Sequence, residues 1–374
     1  MTILVNTRLL IANRLDGIGW FTYESLKRMT RDHPEVHFVF AFDRKPSEEF
    51  VFSGNVTPVV LFPPARHPFL YYWWFQHSLK NLIKQLKPDL FLSPDGFLPL
   101  DISCKTLAVI HDLNFEHYPR SLPFFYRKYY RYYFPKFAKQ ASRIVTVSEF
   151  SKQDIVHQYG IASTKIDVVY NGANDVFVPV STEIKNQVKE KYTRGKDYFL
   201  FVGSLHQRKN IVRLFQAFDA FKQASASDFK LLIVGERYWA DADINAAFET
   251  MKYKEDVVFT GRLNTPNLHL VFASAFALSY VPYFEGFGIP LVEAMQCGIP
   301  ILTSNCSSLP EIAGDAALLV DPFSIEAISI GMVTLYNNAP LRESLIKKGK
   351  ARIQFFSWDK TAEKLWESII QVLK

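Results

Sequence analysis

Residues 278–322 read LSYVPYFEGFGIPLVEAMQCGIPILTSNCSSLPEIAGDAALLVDP, and the rest of the chain is organised around them. A short apolar run ends at Val281 and breaks at Pro282. Glu285 and Glu293 follow, with seven residues between them, among them Gly286, Phe287, Gly288 and Ile289. Pro290 suits the first turn of a helix, where its missing N–H costs nothing. Gly298 suits the position just past the helix end. Residues 299–303 then read as the next strand. The order is strand, glycine-bearing loop, short helix, strand, with Glu285 in the loop and Glu293 in the first helical turn.

Such a loop fits a nucleotide-sugar. Backbone N–H groups at a helix start face an anion, and the helix dipole favours negative charge there. Glycines let a ligand approach the backbone, and a carboxylate accepts from a pair of sugar or ribose hydroxyls. By residue types alone, an ordinary strand–loop–helix turn with two surface glutamates is an equal reading.

The segment resembles the signature of retaining glycosyltransferases with the GT-B fold, in particular family four, and the likeness continues through Ser308-Leu-Pro-Glu311 and residues 313–317. The resemblance implies that Glu285 lies by the donor sugar, that Glu293 binds the nucleotide ribose, and that Gly286, Phe287, Gly288 and Ile289 face the donor.

A length of 374 residues suits two domains. The composition, 48% hydrophobic and 21% charged, is that of a soluble globular chain. Cys104, Cys297 and Cys306 are odd in number and far apart, which points to a reducing compartment and to no disulfide or zinc framework. The amino terminus, interrupted by Asn6 and Arg8, reads as a strand and not as a signal peptide. No apolar run reaches the roughly 18 residues that a membrane span needs. The net charge of +6 hints at anionic ligands or an anionic surface.

In the amino-terminal half, residues 2–5 predict a strand and 6–19 a loop carrying Gly17 and Gly19, ahead of a helix over 20–29. A glycine turn there admits phosphate or acceptor groups, and a plain turn is at least as good a reading; family resemblance places Gly17 and Gly19 beside the donor. Further strands are expected at 37–42, 58–62 and 89–93, with a helix over 76–86. Residues 106–110 read as a strand ending at His111-Asp112-Leu113, and strand ends of open α/β sheets bind ligands. A structural histidine is an even alternative. The triplet resembles a family motif, which implies that His111 touches the sugar as a polar ligand and not as a general base.

From His117 through Ser148 the chain has no Asp or Glu, while Arg120, Arg127, Lys128, Arg131, Lys136, Lys139 and Arg143 interleave with nine Phe and Tyr residues between 124 and 137. A basic aromatic helix can lie on an anionic membrane, can contact a phosphate-bearing acceptor, or can simply bury its rings and solvate its charges. No nucleic-acid motif accompanies the charge.

In the carboxy-terminal half, residues 198–202 predict a strand running into Gly203-Ser204 and on to Arg208-Lys209-Asn210. Asn210 is read as a helix N-cap, and Ile211, Leu214, Phe215 and Phe218 give the following helix one apolar face. Arg208 and Lys209 then stand where two cations hold a diphosphate, or are simply solvated. The segment resembles the family's diphosphate loop, with one departure: Ser204 follows the glycine where many members carry arginine. Arg262 and Leu263, after a strand at 257–260, resemble the family's base wall.

Strands alternate with helices throughout, which argues parallel sheets. The expectation is an α/β, GT-B architecture: two Rossmann-like domains facing across a cleft, an acceptor-side domain formed by residues 1–173 with a returning helix at 357–374, and a nucleotide-sugar-binding domain formed by 174–356. The implied function is retaining transfer of a hexose, preferably mannose, from a nucleotide diphosphate sugar (GDP-mannose or a UDP-sugar) to a glycan or lipid-linked acceptor. No DxD-type metal motif stands where one would be needed, so Arg208, Lys209 and the helix N-terminus are expected to neutralise the leaving group without a metal. The expected location is cytoplasmic, with membrane contact through 117–143. An epimerase or hydrolase on the same fold, or a non-catalytic sugar-nucleotide-binding subunit, are the rivals; intact Glu285, Glu293, Lys209 and His111 argue against the last.

Overall fold

The computed structural model describes residues 1–236 and 242–374. The chain divides into two compact units, Met1–Gly172 with Ser357–Lys374, and Ala173–Phe356.

The first unit is built on seven parallel strands: β1 (Thr2–Asn6), β2 (His37–Phe42), β3 (Val56–Val60), β4 (Leu90–Ser93), β5 (Lys105–Val109), β6 (Arg143–Thr146) and β7 (Ile166–Val168). Their order across the sheet is β3-β2-β1-β4-β5-β6-β7. The central strands are apolar on both faces because helices cover both; Leu4 pairs with Val39 on one side and with Phe91 on the other. β3 begins at Val56, two residues before the expected start. Pro58 is tolerated inside it because β3 is an edge strand with one unpaired side.

Two local expectations are corrected here. The helix after β1 begins at Gly17, so Gly17 and Gly19 belong to its first turn and not to a loop. The cause is Asp16, which is extended and whose side chain accepts from the Gly19 N–H at 2.9 Å. The helical stretch before β4 also starts earlier than residue 76. It opens at Pro68, passes through a π-helical turn at Trp74–Leu79 and ends at Leu86. Burial of Trp74, Phe75 and Leu79 in the core holds it there.

The helix Trp358–Leu373 closes this unit. Ser357 caps it, Thr361 donates to the Tyr170 carbonyl at 2.6 Å, and Trp366 stacks on His33 at 3.7 Å. Gly172 is where the chain passes under it: a Cβ there would lie 2.4 Å from the Trp358 nitrogen.

The second unit has six parallel strands: β8 (Tyr198–Val202), β9 (Lys230–Val234), β10 (Val257–Gly261), β11 (Ala277–Tyr280), β12 (Ile301–Ser304) and β13 (Leu318–Val320), in the order β10-β9-β8-β11-β12-β13. The sheet order reverses between β8 and β11. In such sheets, ligands bind outside the carboxyl ends of the strands at that reversal. The helix Ile211–Ser225 buries Ile211, Leu214, Phe215 and Phe218, the face that its periodicity marks.

Candidate functional site

β8 and β11, neighbours at the reversal point of the second sheet, each deliver part of one polar cluster. After β8, Gln207–Lys209 forms a single helical turn that brings Arg208 and Lys209 to the sheet's carboxyl end. After β11, the chain turns through Pro282 to Glu285. Arg208 Nη1 donates to Glu285 Oε1 at 2.7 Å, and Lys209 Nζ donates to the same oxygen. The Tyr280 hydroxyl, at the end of β11, accepts from Lys209 Nζ at 2.6 Å and donates to Glu285 at 3.0 Å.

Burial alone would push the Glu285 carboxyl up, but the Arg208 and Lys209 charges outweigh it and hold the carboxyl below its ordinary value. Burial pushes the Tyr280 phenol well up, with the Glu285 charge adding to the effect, so the hydroxyl keeps its proton. The cluster therefore holds two cations against one carboxylate. They meet in a place where water is largely excluded.

The backbone of the glutamate loop is pinned from β12 outward. Ser307 accepts from the Glu285 N–H at 3.2 Å, and Ser308 donates to the carbonyls of Glu285 and Phe287 at 2.9 and 3.0 Å. Gly288 adopts φ +103°, a conformation open to glycine. Among the described residues no side chain caps the helix Ile289–Cys297 that begins beside it, and Pro290 sits in its first turn. Gly298 ends the helix in the left-handed conformation, as its position predicts.

Glu293 is placed one turn later than expected, in the second turn of that helix, because the helix begins at Ile289. Half-buried, it makes no hydrogen bond or ion pair among the described residues, and desolvation pushes its carboxyl up to about 8. A half-buried carboxyl with no partner among the described residues has acceptor capacity for incoming donors.

Asn210 is a correction of a different kind. It is not a helix N-cap by its side chain. Its backbone is left-handed at φ +61°, and Nδ2 donates to the Val281 and Pro322 carbonyls at 2.9 and 2.7 Å. The carboxamide thus fastens the cation-bearing turn to the chain leaving β11 and to the chain leaving β13.

Gly203 and Ser204 lie at the exit of β8. The Gly203 N–H donates to Val234 and the Gly235 N–H to Gly261, at 2.9 and 3.0 Å, lacing the exits of β8, β9 and β10 together. A Cβ at Gly235 would fall 1.9 Å from the Gly203 carbonyl oxygen. Arg262 and Leu263 follow the last residue of β10, two strands from β8.

His111, Gly17 and Gly19 belong to the first unit. His111 lies just beyond β5, with its ring edge-on to Phe21 at 5.0 Å. Its Nε2 is 2.8 Å from the Pro94 carbonyl, which fixes the proton on that nitrogen. Burial holds the imidazole below its ordinary pKa, so it is neutral and Nδ1 is an acceptor.

Tyr280, Asn210, Ser307 and Ser308 were not legible as site residues. Tyr280 stands in the quoted stretch, but its alternation reads only as strand.

Residues 15–192 match the family model described as Glycosyltransferase Family 4, and residues 182–352 match Glycosyl transferases group 1. O-antigen chain mannosyltransferase B of Escherichia coli is 28% identical over 356 residues, covering 92% of this chain and 93% of that one. O-antigen chain mannosyltransferase RfbU of Salmonella typhimurium is 30% identical over 254 residues, 68% of this chain and 66% of that one. Among solved structures, WaaG, a glycosyltransferase involved in lipopolysaccharide biosynthesis, superposes with a TM-score of 0.74 at 17% identity, covering 98% of each chain. Anabaena HepE in complex with UDP-glucose gives 0.78 at 15% identity, covering 99% of this chain and all of that one.

Proposed function

This chain belongs to glycosyltransferase family 4 and has the GT-B fold, and from that premise we propose that it is a mannosyltransferase, using a nucleotide diphosphate mannose as donor and a growing glycan as acceptor. The observation that carries the reading is the buried Glu285 carboxylate held by Lys209 and Arg208, beside the uncapped start of the helix Ile289–Cys297. The donor sugar is suggested by the mannosyltransferases among the relatives, and GDP-mannose is the preferred form.

In this reading the donor diphosphate is met by the Arg208 and Lys209 side chains and by the helix dipole. Glu293 accepts from the ribose hydroxyls. The bond from the anomeric carbon to the phosphate oxygen breaks, with its electron pair passing to the phosphate. The acceptor oxygen attacks on the same face, its proton goes to the departing phosphate, and configuration is retained. Glu285 steadies positive charge on the ring, and its ion pairs keep it ionised for that purpose. His111 Nδ1 in the first unit can accept from a sugar hydroxyl. Arg208 and Lys209 make a metal unnecessary to neutralise the leaving group in this scheme.

The helix Phe124–Gln140 supports peripheral membrane contact through 117–143. It buries Tyr129, Phe134 and Phe137 and leaves Phe124, Phe125 and Tyr132 exposed, with Phe69 and Trp73 exposed on the helical stretch that opens at Pro68. Arg127, Lys128 and Lys136 stand among these rings, a composition suited to an anionic lipid surface. Among the described residues no helix is long and apolar enough to cross a membrane.

The test is transfer from GDP-mannose and UDP-sugars to lipid-linked glycans, with chelator present and absent, comparing the wild type with Glu285→Gln and Lys209→Ala. Undiminished transfer by both variants would overturn the assignment, and product of inverted configuration would overturn the mechanism. Flotation with anionic liposomes, lost when Arg127, Lys128 and Lys136 are changed together, tests the membrane contact.

A further inference from the structure

We propose that Arg8, Asp95 and the aromatic rings around them form a saccharide-binding subsite in the first unit, with the Arg8 guanidinium donating to hydroxyls of an acceptor pyranose. The acceptor role rests on the transferase reading above; the subsite itself rests on the following geometry.

The order of the first sheet reverses between β1 and β4, which is where an open parallel sheet leaves a crevice at its carboxyl end. Arg8 lies two residues beyond β1 and Asp95 two residues beyond β4. Their side chains meet, with Arg8 Nε donating to Asp95 Oδ2 at 2.6 Å, and the two residues are 6% and 7% exposed. The other carboxylate oxygen, Oδ1, is already committed: Asn6 Nδ2, Ser93 Oγ and the Phe97 N–H donate to it at 2.8, 3.0 and 3.3 Å.

The guanidinium fork is therefore not closed on the carboxylate. Nη1 and Nη2 of Arg8 have no partner among the described residues, and neither is fully sealed from solvent. Phe97 and Tyr71 cover the guanidinium carbon at 4.6 and 4.9 Å. The buried Tyr129 hydroxyl nearby also lacks a partner.

A tie between two strand ends needs only the Nε bond. Leaving further donors unmatched in a nearly closed site costs free energy unless a ligand engages them. The ligand's chemistry follows from the charge balance. Asp95 offsets Arg8, so the site is close to neutral and a phosphate gains little there. Hydroxyls can accept from Nη1 and Nη2 and donate to phenol oxygens, while the C–H face of a pyranose packs on an aromatic ring. His111 is tied to the same strand exit, its Nε2 lying 2.8 Å from the carbonyl of Pro94, the neighbour of Asp95.

The experiment is saturation-transfer NMR on the full chain with methyl α-mannopyranoside and mannotriose, run on the wild type, Arg8→Gln, Tyr130→Phe and Glu285→Ala, with GDP binding followed in parallel. The Tyr130 ring stands edge-on, at 5.5 Å, to Phe97, the ring that covers Arg8. The expected result is mannoside binding that persists in Glu285→Ala, weakens at least tenfold in Arg8→Gln and weakens measurably in Tyr130→Phe, with GDP affinity unchanged in the Arg8 and Tyr130 variants. No mannoside binding by the wild type, equal binding by Arg8→Gln, or displacement by inorganic phosphate would overturn the proposal. If Arg8→Gln does not fold, unaltered binding by Tyr130→Phe overturns it. Failure of the wild type to bind GDP or any sugar nucleotide would instead sink the transferase reading.

Discussion

Lys209 and Glu285, 76 residues apart in the chain, share one buried ion pair, and the same lysine nitrogen donates to the Tyr280 hydroxyl at 2.6 Å. Arg208 reaches the same carboxylate oxygen at 2.7 Å, so two cations share one carboxylate. In the proposed reading the two cations hold the carboxylate ionised and also meet the donor diphosphate.

Removing Lys209 takes away one of those two cations. Lys209→Ala is expected to lower kcat by about 10²–10³-fold, the range for losing one preorganised charge stabiliser. Arg208→Ala should follow, because the two cations face the same carboxylate. Steady-state transfer at saturating donor measures both, and an unchanged kcat would mean that the cations serve structure only.

Glu293 ties donor binding to pH. Its carboxyl is pushed up to about 8 from an ordinary 4.5, so the folded chain holds a proton that the unfolded chain loses between those values. Its contribution to stability is present below about pH 4.5 and is lost as pH rises through about 8. In the proposed reading, ribose hydroxyls would donate to the ionised form and favour it. GDP affinity should therefore rise between pH 6 and 8.5 and level off above that. Glu293→Gln should flatten that rise, as isothermal titration at several pH values would register.

Asn210 is a fastening point whose loss should be felt twice. Asn210→Ala leaves the Val281 and Pro322 carbonyls without their donor. Each unsatisfied buried group costs about 1–3 kcal/mol. Denaturant unfolding should show the lower stability, and transfer should slow because Arg208 and Lys209 sit on the loosened turn.

Gly235→Ala places a methyl group on the Gly203 carbonyl, 1.9 Å away in the present backbone. The exits of β8 and β9 must then separate. The expected result is loss of nucleotide binding with the first unit still folded, seen as an early, separate transition in calorimetry. A single unshifted transition with normal GDP affinity would count against this account.

Trp358 anchors the returning helix over Gly172 and is 5% exposed. Trp358→Ala should destabilise the first unit by about 3–5 kcal/mol, as large-to-small changes in packed sites do. A nucleotide added to the variant should still raise the melting temperature of the second unit.

Glu285, Arg208, Lys209 and the helix ending at Gly298 were legible in the sequence because each carries a local signal: a glycine, a proline, or a charge at a strand exit. Alternation of apolar runs was enough to announce two parallel sheets, since strands buried on both faces leave little else to read. What escaped was set by partners far along the chain. Asn210 has the residue type of an N-cap, but carbonyls 71 and 112 residues away hold its side chain. Tyr280 reads as a strand residue until folding sets Lys209 beside it. Arg8 reads as an interruption in an apolar run until β4 brings Asp95 to it. Local propensity and periodicity act over a few residues and so are written in order. The polarity of a buried group depends on which distant atoms close around it, and that is decided when the strands take their places in the sheet.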